Sequence, residues 1–166
     1  MNEPTIIELG EMKIGGLHVR AAETERGTDS AVARLWEQFR SSDRCIAKEA
    51  EARNPSVTYA LYAEYNRSDN GACTIVIGQE VSGDDAFEEG ADCKIVTLPA
   101  SRYAVFTTRP GPALEVTAET WAAIDRYFET SAYRRRYSGD FELYDAKASD
   151  PGEAIVDIYI SVTDEP

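Results

Sequence analysis

The residues with the most chemical content lie in Asp140-Phe141-Glu142-Leu143-Tyr144, where apolar side chains alternate with polar ones. A strand sends successive side chains to opposite faces. Phe141 and Leu143 are therefore expected to face packed helices, and Glu142 and Tyr144 the face that the helices leave uncovered. In Ala60-Leu61-Tyr62-Ala63-Glu64 the same alternation puts Tyr62 and Glu64 on one face with Ala60. With Tyr62 as the counterpart of Tyr144, the two strands line an aromatic groove with a carboxylate at its floor. A lone carboxylate on an apolar face costs several kcal/mol to desolvate unless a cation or hydrogen-bond donors are near. A lipophilic cation supplies the charge, and each tyrosine or tryptophan face adds about 0.5–2 kcal/mol of cation–π attraction. On alternation alone the plain alternative stands beside this: Glu142 a solvated strand carboxylate and the tyrosines amphipathic surface cover.

Other constellations offer less. His18, the one histidine, sits between Leu17 and Val19 and is expected to be a strand residue. Cys45, Cys73 and Cys93 lack metal-ligand spacing, so neither a zinc site nor a Ser-His-Asp or Cys-His arrangement is expected, and no cofactor. The three cysteines read as buried or incidental thiols of a reducing, cytoplasmic compartment. Arg134-Arg135-Arg136 follows a helix and is expected to be its solvated basic end. Glycine-containing turns lack phosphate-loop spacing.

Composition narrows the partners. Thirty acidic residues against seventeen basic ones give a net charge of −13 over 166 residues, which repels a phosphate backbone. Direct nucleic-acid binding is not expected, and an acidic field concentrates cations. The N-terminus lacks a basic-then-apolar pattern and no apolar run reaches membrane-spanning length, so no signal peptide and no membrane partner are expected.

The elements that must position these residues follow from periodicity. Ile6 to Ala21 alternates as a strand bulged at Gly15 and Gly16. Thr28, Asp29 and Ser30 offer N-caps for a helix over about 31–40, with Val32, Leu35, Trp36 and Phe39 on one face. Residues 41–56 read mostly as loop. Val57–Tyr65 and Cys73–Val81 form a hairpin about a turn at 66–71. The second half repeats the order: strand material over Cys93–Thr108 broken at Pro99, a helix over about 116–130 carrying Trp121, Ile124, Tyr127 and Phe128, then strands at 141–146 and 155–162. The chain reads as one α+β domain, an internal duplication of strand-helix-strand-strand units at about 5–82 and 92–163. Two such units about a pseudo-twofold axis share one antiparallel sheet, with helices on one face and a ligand groove on the other.

At Phe141-Glu142-Leu143-Tyr144-Asp145 the chain resembles the GyrI-like small-molecule-binding family, whose module is also the effector-binding domain of multidrug-responsive AraC-type and MerR-type transcription regulators. Further matching segments are Leu35-Trp36-Glu37-Gln38-Phe39, Gly78-Gln79-Glu80-Val81, Tyr103-Ala104-Val105-Phe106 with Gly111-Pro112, Thr120-Trp121, Ser131-Ala132-Tyr133 and Ile158-Tyr159-Ile160. Together they cover nearly the whole chain. The resemblance implies a groove on the pseudo-twofold axis in which Glu142 contacts cationic aromatic ligands, ringed by Trp121, Tyr144, Tyr159 and Phe106 from the second half and Tyr62 and Trp36 from the first. The sequence departs from the family at Ile75, Ala132 and Ser161, where an aromatic, a glycine and a proline are common. No helix-turn-helix or zinc-type DNA-binding segment is left once the duplicated domain is assigned.

Three function classes follow. One is a stand-alone binding domain for a hydrophobic cation. The second, implied by the resemblance, is a hydrolase of reactive cyclopropanoid toxins in which Glu142 assists water and Tyr144 or Tyr159 donates a proton. The third is a gyrase-inhibitor-like binder of a protein partner. Binding is the leading reading, and oligomeric state is left open.

Overall fold

The structure, a computed structural model, describes residues 3–22, 30–41, 56–66, 72–83 and 93–163. Their elements run β1 (Thr5–Leu9), β2 (Met12–Ala22), α1 (Ala31–Ser41), β3 (Thr58–Asn66), β4 (Ala72–Val81), β5 (Cys93–Leu98), β6 (Ser101–Thr107), α2 (Ala113–Thr130), β7 (Asp140–Tyr144) and β8 (Asp157–Val162). All eight strands belong to one antiparallel sheet of order β1-β6-β8-β7-β3-β4-β2-β5, so the fold is α+β.

The helices begin where local chemistry permits. The Ser30 hydroxyl accepts from the Ala33 N–H at 3.1 Å, while Thr28 and Asp29, the other candidate caps, lie outside the described residues. The helix α2 starts a turn earlier than its apolar spacing suggested. Pro112 stands at its N-cap, where the missing N–H costs nothing, and Glu115 lies in the positive first turn.

The expected opening strand is instead two. The break falls at Gly10-Glu11, whereas Gly15 and Gly16 lie inside β2, hydrogen-bonded on both sides. The break at Pro99 is where it was expected. Each run of chain thus gives strand-strand-helix-strand-strand, one strand more than anticipated.

The extra strands close the sheet. β1 lies at one end and β2 next to the other, yet only Gly10 and Glu11 join them. Two residues span at most about 10 Å, so the ends of the sheet must meet. They do so as a ribbon: Thr5↔Val105 to Leu9↔Ser101 and Met12↔Leu98 to Leu17↔Cys93 continue one register across the kink.

A curled sheet has two apolar faces. The outer one, with Tyr62, Ile75, Phe106, Ile158 and Ile160, carries both helices through Val32, Leu35, Trp121 and Ile124. The inner one holds Ile14, Tyr59, Leu61, Leu98, Tyr103 and Phe141, with ribbon side chains packed against the central strands.

Cys93 is disulfide-bonded, which corrects the expectation of three plain thiols; Cys73 is free and buried, and Cys45 lies outside the described residues. His18 takes its expected place in β2, opposite Val76. No described helix is long and apolar enough to cross a membrane.

Curling demands close backbone approach at the pair Gly16↔Gly78. A Cβ on Gly78 would lie 1.9 Å from the Gly15 carbonyl oxygen, and one on Gly16 2.0 Å from that of Ile77. Both obstacles are backbone and cannot swing away. Gly78→Ala is expected to destabilise by at least about 2 kcal/mol, read as a lower urea midpoint at unchanged slope; an unchanged midpoint would show that the strands can separate there without cost.

Candidate functional site

Glu142 sits in the middle of β7, with Ala60 of β3 on one side and Ile158 of β8 on the other. The small Ala60 leaves room above the carboxylate, and the flanking Tyr62 and Tyr144 share its face. The residue is 3% exposed. Its Oε2 accepts the Nε1–H of Trp121 at 2.7 Å and the hydroxyl of Tyr62 at 3.3 Å. Its Oε1 accepts the Tyr144 hydroxyl at 2.5 Å. Three donors from β3, β7 and α2 therefore converge on one buried carboxylate, as its lost hydration requires.

The rings form a cage around it. Tyr62 meets Trp121 edge-on with centroids 5.2 Å apart, and Tyr144 meets Trp36 of α1 at 4.7 Å. Tyr62 and Trp121 are buried, whereas Trp36 and Tyr144 are half-buried, so the cage is nearest to solvent on its α1 side. Burial, then the Glu142 charge and the hydrogen bond to it, then Tyr62, push the Tyr144 phenol well above its ordinary range. Its proton stays on, and Tyr144 stays a donor.

The structure brings together four of the predicted residues, Glu142, Tyr62, Tyr144 and Trp121, with Trp36 one ring further out. Phe106 shares this face but packs against Tyr127 and Phe128 of α2 at 5.3 and 6.2 Å. Tyr159 does not join them: it stacks on Phe141 on the inner face, 4.5 Å between centroids.

The predicted facing is reversed. Glu142 and Tyr144 point toward the helices, and Phe141 and Leu143 point away from them into the curled sheet. Glu64 leaves the groove as well. The register of β3 shifts between Ala63 and Asn66, Glu64 has φ of 53°, and its carboxylate takes the Thr74 hydroxyl at 2.7 Å and Lys94 at 3.0 Å near the surface.

Asp140, two residues before Glu142, was missed although the same alternation puts it on the same face. It is fully buried and accepts from Arg135 at 2.6 Å, the Tyr65 hydroxyl at 2.5 Å, and the N–H and hydroxyl of Ser161 at 2.8 and 3.1 Å. Arg135 is therefore no solvated helix end; its side chain is 8% exposed and its guanidinium lies 4.4 Å from the Tyr137 ring centroid. Ser161 also explains one departure from the family pattern, because a proline there would have no N–H to give Asp140. Among the described residues no group of three or more His, Cys, Asp or Glu is placed to hold a metal ion.

Comparison with known proteins gives the family and agrees with the fold. Residues 5–162 match the Cass2 family, described as integron-associated effector binding protein. YobU of Bacillus subtilis (strain 168), named as a candidate transcriptional regulator, is 32% identical over 158 residues, 95% of this chain and 96% of YobU. Two solved structures share the fold. An integron cassette protein from the mobile metagenome of Vibrio cholerae aligns with a TM-score of 0.68 and 22% identity over 97% of this chain and 96% of its own. The protein SAV2435, solved bound to tetraphenylphosphonium, gives 0.70 and 17% over 98% and 95%.

The buried phenols oppose ionisation and so couple the fold to alkaline pH. Besides Tyr144, burial and then Asp140 push Tyr103 up to about 12. An unfolded tyrosine ionises near pH 10. Above that the unfolded chain sheds protons that the folded chain keeps, so this contribution is constant below about pH 10 and stability falls from there toward about pH 12. Urea midpoints are expected to drop between about pH 10 and about pH 12, and less so in Tyr103→Phe; an equal drop in that variant would place the titration elsewhere.

Proposed function

We propose, from the premise that the chain belongs to the Cass2 family of integron-associated effector-binding proteins, that it holds a hydrophobic organic cation against Glu142, in the layer between the sheet and the two helices. Small-molecule binding is the business of the family; the cation and the glutamate are our reading. The observation that carries it is a carboxylate at 3% exposure bonded by three aromatic side chains at once. Neutral donors offset its desolvation, and only a positive ligand adds a Coulomb attraction that a neutral isostere lacks. The rings of Trp121, Tyr62, Tyr144 and Trp36, packed edge to face in pairs beside that carboxylate, add cation–π attraction for such a ligand. SAV2435, of the same fold, was solved with a lipophilic phosphonium, which supports the ligand class.

The duplication remains part of this proposal. Exchanging β1 with β5, β2 with β6, β3 with β7 and β4 with β8 gives the same strand order read from the other end, and Glu142 and Tyr62 then lie on the two strands beside the axis. The hydrolytic alternative asks Tyr144 for its proton, and burial beside Glu142 opposes that release.

Tryptophan fluorescence during titration with tetraphenylphosphonium and neutral triphenylphosphine oxide tests the reading. Wild type is expected to bind the phosphonium, and Glu142→Gln to lose about tenfold to a hundredfold in affinity, in line with one charged contact. The oxide is expected to bind weakly and equally to both. Equal phosphonium binding by a folded Glu142→Gln protein would overturn the assignment.

A further inference from the structure

We propose that the protein has a second small-molecule site, on the inner face of the curled sheet and back to back with Glu142, and that it takes a small single-ring organic ammonium ion. The kink at Gly10-Glu11 opens a cavity of about 280 Å³ between the ribbon and the central strands. Phe141 and Tyr159, stacked on one another with 14° between planes, both line it, and so does Tyr59, tilted 5.5 Å from Phe141. Leu143 lines it too. Glu80, half-buried, accepts the Tyr59 hydroxyl at 3.5 Å, and Glu11 stands on the kink itself.

Size and charge select the ligand. Cavities that enclose drug-sized molecules run from about 300 to 1,000 Å³, so this one suits a single ring with a short charged head and is too small for a tetra-aryl cation. Among the described residues its two ionisable wall groups other than tyrosine are both carboxylates, in a chain of net charge −13, which disfavours anions. Lys147, beside Tyr159, is already bound to Asp157 at 2.7 Å. Tyrosine faces next to carboxylates form the same recognition set as at Glu142, on residues of the opposite parity. Since Phe141 and Leu143 point away from Glu142 along one strand, the sheet separates the sites and each should fill without the other.

Titrating the full chain with benzyltrimethylammonium, followed by side-chain NMR shifts, separates them. In Glu142→Gln the resonances of Tyr59, Leu143 and Tyr159 are expected to shift with wild-type affinity, whereas Glu80→Gln and Tyr159→Leu each weaken that response about tenfold. Glu11→Gln, on the exposed kink, serves where a core variant fails to fold, and is expected to weaken it about threefold. Shifts confined to Trp36, Trp121 and Tyr144, a response lost in Glu142→Gln, or an inner-face response unchanged by the folded variants would each overturn the second site.

Discussion

A carboxylate taken out of water must be given donors, and burying Glu142 constrains the elements around it. Its three donors belong to Tyr62 on β3, Tyr144 on β7 and Trp121 on α2, so the carboxylate fixes how α2 lies across the sheet. Two residues earlier, Asp140 does the same for the segment after α2, through Arg135, and for β8, through Ser161. Hydrogen bonds to charged groups contribute about 1.5–3 kcal/mol each, against a total stability of about 5–15 kcal/mol for a typical domain. Two acidic positions on one short strand, separated by one residue, therefore tie α2 and the segment that follows it to the sheet.

The same strand separates two chemistries. Along β7 the side chains at 142 and 144 meet hydrogen bonds under the helices and that at 140 meets Arg135 beyond α2, while 141 and 143 enter an apolar interior made by curling. Curling is possible because Gly10-Glu11 and Pro99-Ala100 let one ribbon belong to both ends of the sheet, and because Gly16 and Gly78 let β2 and β4 touch backbone to backbone.

Much of this was legible in the sequence. Helical spacing gave α1 and α2, and alternation with turn residues gave the β3–β4 hairpin. The same alternation grouped Glu142 with Tyr144 and Tyr62, and the family resemblance added Trp121. Which face meets the helices was not legible, for a physical reason. Apolarity marks the core side only when a sheet has one apolar face, and here Phe141 and Leu143 serve a second, inner core. Tyr159 went astray for the same reason, since its neighbours Ile158 and Ile160 take the helix side. Arg135 in a basic run resembles solvent-exposed charge until Asp140 is known to be buried opposite it. The bulge that turns Glu64 outward depends on a positive φ at a residue type that rarely adopts one.

The ribbon also sets when the chain can fold. Thr5 finds its partner only at Val105, Met12 at Leu98, and β3 must await β7. During synthesis, a nascent first half holds β2 with one edge unpaired and the inner apolar surface uncovered until the second half has emerged from the ribosome. Such contact order favours slow, late closure, and it makes an interrupted translation product of this protein a source of sticky β-edges for the quality-control machinery to clear.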